Sequence, residues 1–299
     1  VVGLGLAMLG PLVGPLAAWA GAPGPVTLKG EVVHLVGYFT QGGVAQGRVA
    51  ASAAVSYNER AVPVGPDGLF FIGFDRHHPA TGVLEVALGG EVTRQVVKVA
   101  PRVYDTQNVR GVPAQKVHPN PAQVARTKAE NAQIKAARAG VRFLPQMPEA
   151  LKKLTLTDPV PGARISGVYG SQRLFDGHER SWHKGVDFAA PTGTPVLAAA
   201  AGTVRLALVD GFMNGNTVII DHGHGLTTIY AHLHRMTVAE GDFVEAGQMV
   251  GEVGSTGRSS GPHLHLGLNW GPVALDPLLW LPGRQTPHQK GLRAPPLAR

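Results

Sequence analysis

Residues 218–233, VIIDHGHGLTTIYAHL, contain two runs of mostly apolar and β-branched side chains on either side of a turn with Gly223 and Gly225. Each run has the length of a strand, and glycine permits the backbone conformations that tight turns require. The stretch therefore predicts a β-hairpin. Similar short runs separated by glycine extend from Ile165 to Leu268 without a helix-length amphipathic period, which predicts an all-β domain.

The N-terminal half also has a β pattern, but a different one. From residue 25 to about 101, alternating segments such as VTLKGEVVHLV and VLEVAL are separated by turn signals, including GPDG at 65–68. This predicts a small antiparallel β-sandwich that serves as an accessory domain. His77 and His78 lie in a polar turn, DRHHPA, and we expect both to be exposed.

A connecting segment at 102–147 separates the two β regions. NPAQVARTKAENAQIKAAR, which begins at Asn120, has proline at a first-turn position, good helix formers throughout and Gly140 beyond its end. These signals predict a helix over about 120–139. The C-terminal β domain would then occupy 148–284, followed by a flexible polar tail at 285–299.

Residues 1–24 have the character of an export signal. The chain carries no charge before Lys29, and the apolar part ends in Ala18-Trp19-Ala20, a small-x-small sequence. Prolines interrupt this segment, which argues against a continuous membrane-spanning helix. We therefore expect an exported protein, periplasmic or extracellular; the alternative is an uncleaved anchor that contacts the membrane.

Composition limits the classes of site and partner. The 299 residues include no cysteine, which excludes disulfides, thiolate metal sites and a cysteine nucleophile. The net charge of +7 lies mostly before residue 141 and suits an anionic polymer of the cell envelope, although a generally basic solvated surface explains it equally well. No basic stripe interleaved with aromatic residues is present, so we expect no nucleic-acid partner.

Histidine spacing suggests a metal site. Three pairs of histidines two positions apart can each share one face of a strand: His222/His224, His232/His234 and His263/His265. His183 and Asp187 are four apart, with Gly185 between them. Two imidazoles, one carboxylate and an open position are typical of catalytic zinc, and also of an oxygen-activating iron site. Spacing alone does not decide which pair takes part.

The motifs HKGVD, YAHL and GPHLHL occur in that order, and together they resemble the M23 or LytM-type zinc metallopeptidases, the lysostaphin-like cell-wall endopeptidases. The resemblance covers about residues 158–280. It implies that His183, Asp187 and His265 bind one zinc ion, and that His232 and His263 remain unligated and act in catalysis. Because no HExxH glutamate is present, a histidine must supply the base, and the sequence leaves open which one. The unligated histidines argue against iron.

The resemblance implies a zinc metalloendopeptidase that hydrolyses stem peptides or cross-bridges of bacterial peptidoglycan. The alternative is a non-catalytic LytM-type protein that binds the cell wall and regulates other hydrolases. Members of that kind typically lack some metal ligands, whereas every candidate position is retained here. The loop GSQRLFDGHERSWH resembles one that borders the family's cleft, so Arg173, Phe175 and His178 either contact substrate or order the loop. We expect structural roles for His222, His224 and His234.

Overall fold

The protein is mainly β, as the sequence predicts. The structure, a computed structural model, describes residues 26–29, 33–110, 115, 118–144, 147–175, 178–179 and 181–284. The predicted export signal at 1–24 and the predicted tail at 285–299 lie outside the described residues. Within the described part of the chain, no helix is long and apolar enough to cross a membrane.

The first eight strands form two antiparallel four-stranded sheets, ordered β1-β2-β3-β6 and β5-β4-β7-β8. Their bounds are β1 Val26–Lys29, β2 His34–Gly37, β3 Val44–Arg48, β4 Ala54–Tyr57, β5 Arg60–Val62, β6 Leu69–Gly73, β7 Thr81–Leu88 and β8 Glu91–Lys98. Phe70 and Ile72 of the first sheet share one buried core with Val55 and Leu84 of the second. The predicted β-sandwich is thus confirmed.

Strand β6 is buried on both of its faces. Because side chains alternate along a strand, Phe70 and Ile72 point into the sandwich core, while Leu69 and Phe71 join the core of the C-terminal domain. A strand covered on both sides needs a continuous apolar run, which explains why LFFIGF shows no alternation. The sandwich is therefore attached through a hydrophobic core that both domains share.

The expectation that His78 is exposed is wrong. Its ring is buried against Phe74 and stacks on Tyr57 at 5.6 Å between centroids. Nε2 lies 2.9 Å from the Tyr57 hydroxyl, and Nδ1 lies 2.7 Å from the carbonyl oxygen of Pro79. The polar residues that flank it gave no indication that its ring is buried with both nitrogens hydrogen-bonded. Its neighbour His77 is exposed, as expected.

The connecting segment contains the predicted helix and a strand that the sequence did not suggest. Helix α1, Pro121–Ala137, begins with a capping box in which Asn120 and Gln123 exchange hydrogen bonds of 2.9 Å. Strand β9, Thr106–Val109, pairs in parallel with β11, Gln172–Phe175. That pairing joins segments far apart in sequence, so no local pattern could indicate it.

Helix α1 is docked on the C-terminal domain. Ile134 packs with Leu206, Ile219 and Ile229 in a small buried cluster. The Glu130 carboxylate accepts hydrogen bonds from the backbone nitrogen of Phe212 at 2.8 and 3.0 Å. An apolar contact and a buried charge-assisted hydrogen bond therefore fix the helix against this domain.

The C-terminal domain is built on an eight-stranded antiparallel sheet, ordered β10-β13-β21-β17-β16-β15-β19 with β22 beside β21. A second sheet is ordered β14-β20-β18, and β12 and β11 extend β9. The remaining elements are α2 Glu149–Lys152, β10 Arg164–Gly167, β12 His178–Glu179, β13 Val186–Ala189, β14 Pro195–Leu197, β15 Gly202–Gly211, β16 Gly215–Asp221, β17 Leu226–Leu233, β18 Arg235–Met236, β19 Phe243–Val244, β20 Met249–Glu252, β21 His263–Trp270, β22 Val273–Leu275 and a 3₁₀ helix, Pro277–Leu279. The predicted hairpin is β16–β17, with Gly223 and Gly225 at φ of 84° and 78° in its turn.

Candidate active site

Adjacent strands bring the sequence-predicted residues together. Asp187 on β13 lies directly opposite His265 on β21 in the antiparallel register. His183 precedes β13 and reaches the same point across Gly185, where a Cβ atom would come within 2.2 Å of the Leu266 carbonyl oxygen. Only glycine allows the two backbones this approach, which links the spacing of His183 and Asp187 to the position of His265.

Three potential ligand atoms face a common point. Nε2 of His183 lies 3.0 Å from Nδ1 of His265, and Oδ1 of Asp187 lies 2.9 Å from the first and 2.8 Å from the second. Tetrahedral zinc with bonds of about 2.0–2.1 Å separates neighbouring donor atoms by roughly 3.3 Å, so a slight expansion of this triangle would admit the ion. The three residues can hold a metal ion.

The protonation of the triangle also suits a cation. Nδ1 of His183 lies 3.0 Å from the Val168 carbonyl oxygen, which can only accept, so Nδ1 carries the proton and Nε2 presents its lone pair. Burial lowers the pKa of His183 to about 4, which keeps the ring neutral. Burial acts to raise the pKa of Asp187, but its electrostatic interaction and hydrogen bond with His183, together with the hydrogen bond of His265, hold it well below its usual range.

Arg173 holds the second oxygen of the Asp187 carboxylate. Its Nη2 donates to Oδ2 at 2.5 Å, which leaves Oδ1 directed at the two histidines. The contact with substrate or the loop-ordering role that the sequence suggested stays a prediction; in the structure the guanidinium contacts a candidate metal ligand and also lines the cavity. Phe175 and His178 pair across β11 and β12, and their side chains lie outside the described part of the structure.

His232 and His263 stand beside the triangle, with their ring centroids 4.8 Å apart. Nδ1 of His232 donates to the Thr256 carbonyl at 2.8 Å, and Nδ1 of His263 donates to the Gly261 carbonyl at 2.8 Å. Each ring therefore keeps Nε2 for other chemistry, and that of His263 lies 3.9 Å from Oδ1 of Asp187. Burial, followed by the nearby His263 and His265, lowers the pKa of His232 to about 3.

A β-bulge directs His232 into the site. The pairing between β16 and β17 shifts between Val218–Tyr230 and Asn216–Leu233, which leaves an extra residue on β17. His232 occupies this irregularity with φ of 64°, in the left-handed region that a side chain rarely adopts. Strict alternation would place His232 on the core face with Tyr230, whereas it lines the same cavity as Ile229.

All five residues line one cavity of about 560 Å³. One of its walls comes from the connecting segment, which contributes Gln107 of β9 and four residues of α1 and its end: Thr127, Asn131, Ile134 and Arg138. No sequence signal indicated this wall, because polar residues of a helix look the same whether they face a cleft or open solvent.

The other paired histidines lie outside the residues that line this cavity. His222 is buried, and its ring nitrogens lie 2.8 Å from the Ala201 carbonyl and 2.7 Å from the Thr228 hydroxyl. The ring of His224 packs edge-on to Phe71 and Phe143, at the junction with the sandwich. His234 is exposed.

Residues 181–277 match the family model described as Peptidase family M23. The chain is 45% identical over 108 residues to "DD-carboxypeptidase/endopeptidase Mpg" of Neisseria meningitidis, a match that covers 36% of this chain and 25% of that protein. It is 40% identical over 125 residues to "Peptidoglycan DD-endopeptidase ShyC" of Vibrio cholerae, covering 41% of this chain and 28% of that protein. The matches thus span about a quarter of the length of these curated relatives.

A solved structure assigned to peptidase M23, from Pseudomonas aeruginosa, superposes with a TM-score of 0.61 at 28% identity. The superposition covers 81% of this chain and 94% of that one. It therefore extends well beyond the 97 residues of the family match and includes much of the N-terminal half.

Proposed function

We propose that this chain, which belongs to peptidase family M23, is a zinc-dependent endopeptidase that hydrolyses peptide bonds in the stem peptides or cross-bridges of bacterial peptidoglycan. The observation that carries the proposal is the convergence of Nε2 of His183, Oδ1 of Asp187 and Nδ1 of His265, with two further imidazoles beside them. The two bacterial relatives, named as a DD-carboxypeptidase/endopeptidase and a peptidoglycan DD-endopeptidase, support the reaction and the substrate class.

Zinc fits the residues present better than calcium or magnesium does. Two imidazoles and one carboxylate match the ligands of catalytic zinc sites, whereas calcium and magnesium prefer oxygen atoms alone. His183, Asp187 and His265 would hold the ion. When bound, zinc lowers the pKa of a water molecule and polarises the scissile carbonyl.

His232 and His263 supply the proton transfers in this proposal. Because each donates Nδ1–H to a backbone carbonyl, each presents Nε2 to the cavity in a fixed orientation. One Nε2 accepts the proton of the attacking water, and the other, when protonated, donates to the developing oxyanion or to the leaving amine. Hydrolysis then needs no glutamate base.

We place the reaction in the cell envelope, where the proposed polymer lies. The uncharged N-terminal segment, which resembles an export signal, supports a periplasmic or extracellular protein. The partner in this proposal is the peptide moiety of peptidoglycan.

The proposal is tested by digesting purified sacculi with the protein and identifying the released fragments by mass spectrometry. We expect peptide-bond cleavage that a chelator abolishes and stoichiometric zinc restores. His265→Ala should lose both bound zinc and cleavage, while His234→Ala, which removes an exposed histidine from the neighbouring turn, should retain both.

Two results would count against it. Protein that contains stoichiometric zinc and leaves sacculi uncut would favour the non-catalytic regulator. Cleavage that survives metal removal would reject the metal mechanism and leave the reaction to other residues.

A further inference from the structure

The cavity around the five site residues is strongly cationic. Five basic side chains line it, and Asp187 is its single carboxylate among the residues that the structure describes. The basic residues are Arg138, Arg164, Arg173, Lys184 and Arg258. A bound divalent cation would raise the positive potential further, so the site favours a substrate that carries negative charge.

Arg138 differs from the other cations of this cavity in its origin and surroundings. Of the five, it alone belongs to the connecting segment at 102–147; like Arg164 and Arg173, it precedes residues 181–277, which match the family model. It caps the C-terminus of α1, where its Nε donates to the Ile134 carbonyl at 3.3 Å. The neighbouring Ile134 is buried against the C-terminal domain, so the position of Arg138 is fixed by packing.

No carboxylate of the described residues pairs with Arg138, although its side chain is half-buried. Arg173 contacts Asp187, and Arg142, four residues beyond Arg138, pairs with Asp221 at 3.3 Å. Burial lowers the pKa of Arg138, and no acidic neighbour opposes the effect. Withdrawing a guanidinium from water without a counter-ion is costly, and an anionic ligand in the cavity would offset that cost.

We propose that Arg138 is a specificity-determining residue that binds a free carboxylate of the peptide substrate through its guanidinium. The proposal rests on the proposed function for the identity of the reaction, but it assigns a new role to the connecting helix, which would form one wall of the substrate site. Guanidinium and carboxylate match in planar geometry, and such a pair orients a flexible peptide.

The test uses a purified cross-linked muropeptide in two forms, one with free carboxylates and one in which they have been amidated. We expect the wild-type enzyme to favour the carboxylate form by about 10- to 100-fold in kcat/KM, the range for a hydrogen bond to a charged group. Arg138→Gln should reduce this preference to a few-fold, mainly through KM, and Arg138→Lys should retain part of it. Lys135→Gln, on an exposed position of the same helix, should behave as wild type.

Binding of both muropeptides to chelator-treated protein is measured in parallel, and Arg138→Met replaces the glutamine variant if the latter unfolds. A preference that persists unchanged in the Arg138 variants, or that is absent from the wild type, overturns the proposal. Equal cleavage of both forms by the wild type would reject the role of Arg138 but would still support the proposed endopeptidase activity. Carboxylate-selective binding that depends on Arg138 without any cleavage would support the role of Arg138 and reject the proposed endopeptidase activity.

Discussion

Buried histidines serve different purposes in the sandwich and in the cleft. In the sandwich, both ring nitrogens of His78 are bonded to neighbouring protein atoms. In the cleft, His183, His232 and His263 each bond one nitrogen to a backbone carbonyl and direct the other toward the cavity. Burial alone therefore does not mark a functional histidine; a fixed ring whose second nitrogen converges with other donors does.

The contrast has an energetic basis. An unsatisfied buried polar group costs about 1–3 kcal/mol, and His78 avoids that cost completely. The cleft instead brings together imidazoles whose pKa burial lowers, such as His183 and His232, and it holds Asp187 ionised against His183 and His265. A ligand bound by the three converging atoms of His183, Asp187 and His265 would recover part of the free-energy cost of burying these groups.

Replacing His183 should have the largest effect, because it removes one of the three potential metal ligands. His183→Ala should lose bound zinc and reduce kcat/KM by about a thousand-fold or more, since a metal supplies several kcal/mol of transition-state stabilisation. Metal content by plasma mass spectrometry and hydrolysis of sacculi are the measurements. Full hydrolysis by a metal-free His183→Ala protein would reject the assignment.

Replacing the unligated histidines should separate binding from turnover. We expect His263→Ala and His232→Ala to keep stoichiometric zinc and to lose about 10²- to 10⁴-fold in kcat, the usual contribution of general acid–base catalysis. If either variant loses its metal instead, that histidine belongs to the ligand set. The same zinc assay and single-turnover kinetics distinguish the two roles.

Arg173 should influence the metal without contacting it. Arg173→Met frees Oδ2 of Asp187, and we expect zinc affinity to fall by about 10- to 100-fold, as for other groups that orient metal ligands. Competition with a chromogenic chelator measures this. Arg94→Met, which breaks an exposed ion pair with Glu85 in the sandwich, is the matched control and should leave affinity unchanged.

Replacing His78 in the sandwich should lower stability without affecting the metal site. His78→Leu leaves the Tyr57 hydroxyl without this hydrogen bond, and we expect the free energy of unfolding in urea to fall by about 1–3 kcal/mol. Zinc content and activity of the folded protein should not change. A loss of zinc from folded His78→Leu would mean that the two regions are not independent in function.

The smallest effect is a pH dependence of stability. Burial lowers the pKa of His222 below its ordinary value of about 6.5, so the folded state binds fewer protons than the unfolded state. Its contribution is therefore fully present above pH about 6.5 and is lost as the pH falls, by at most about 1.4 kcal/mol per pH unit. Urea unfolding of the metal-free protein at several pH values should show a shallower slope for His222→Gln; an identical slope would exclude His222 as a source.

The sequence was most informative where function depends on short-range spacing. The interval from His183 to Asp187 and the pair His263/His265 belong to the motifs that carry the family resemblance, and the antiparallel register of β13 and β21 places Asp187 opposite His265. The hairpin β16–β17 and helix α1 also follow from local signals. Roles for these residues remain predictions until the variants are measured.

Features that depend on irregular or long-range structure could not be predicted from the sequence. The resemblance implied a catalytic role for His232, but strand alternation would place its side chain on the core face, and no sequence signal indicated the bulge that turns it into the cavity. Nothing near Thr106–Val109 indicates that it pairs with a strand more than sixty residues later. The contribution of Arg138 to the cleft likewise depends on where Ile134 docks, which is a tertiary contact.

Strand β6 has a consequence for how the molecule folds and how it can be divided. Because Phe70 packs in one core and Phe71 in the other, neither domain completes its hydrophobic packing alone, and we expect the two domains to unfold together. Truncation between them would expose an apolar sheet face and favour aggregation. Each substitution in this strand must therefore fit one of two different interiors.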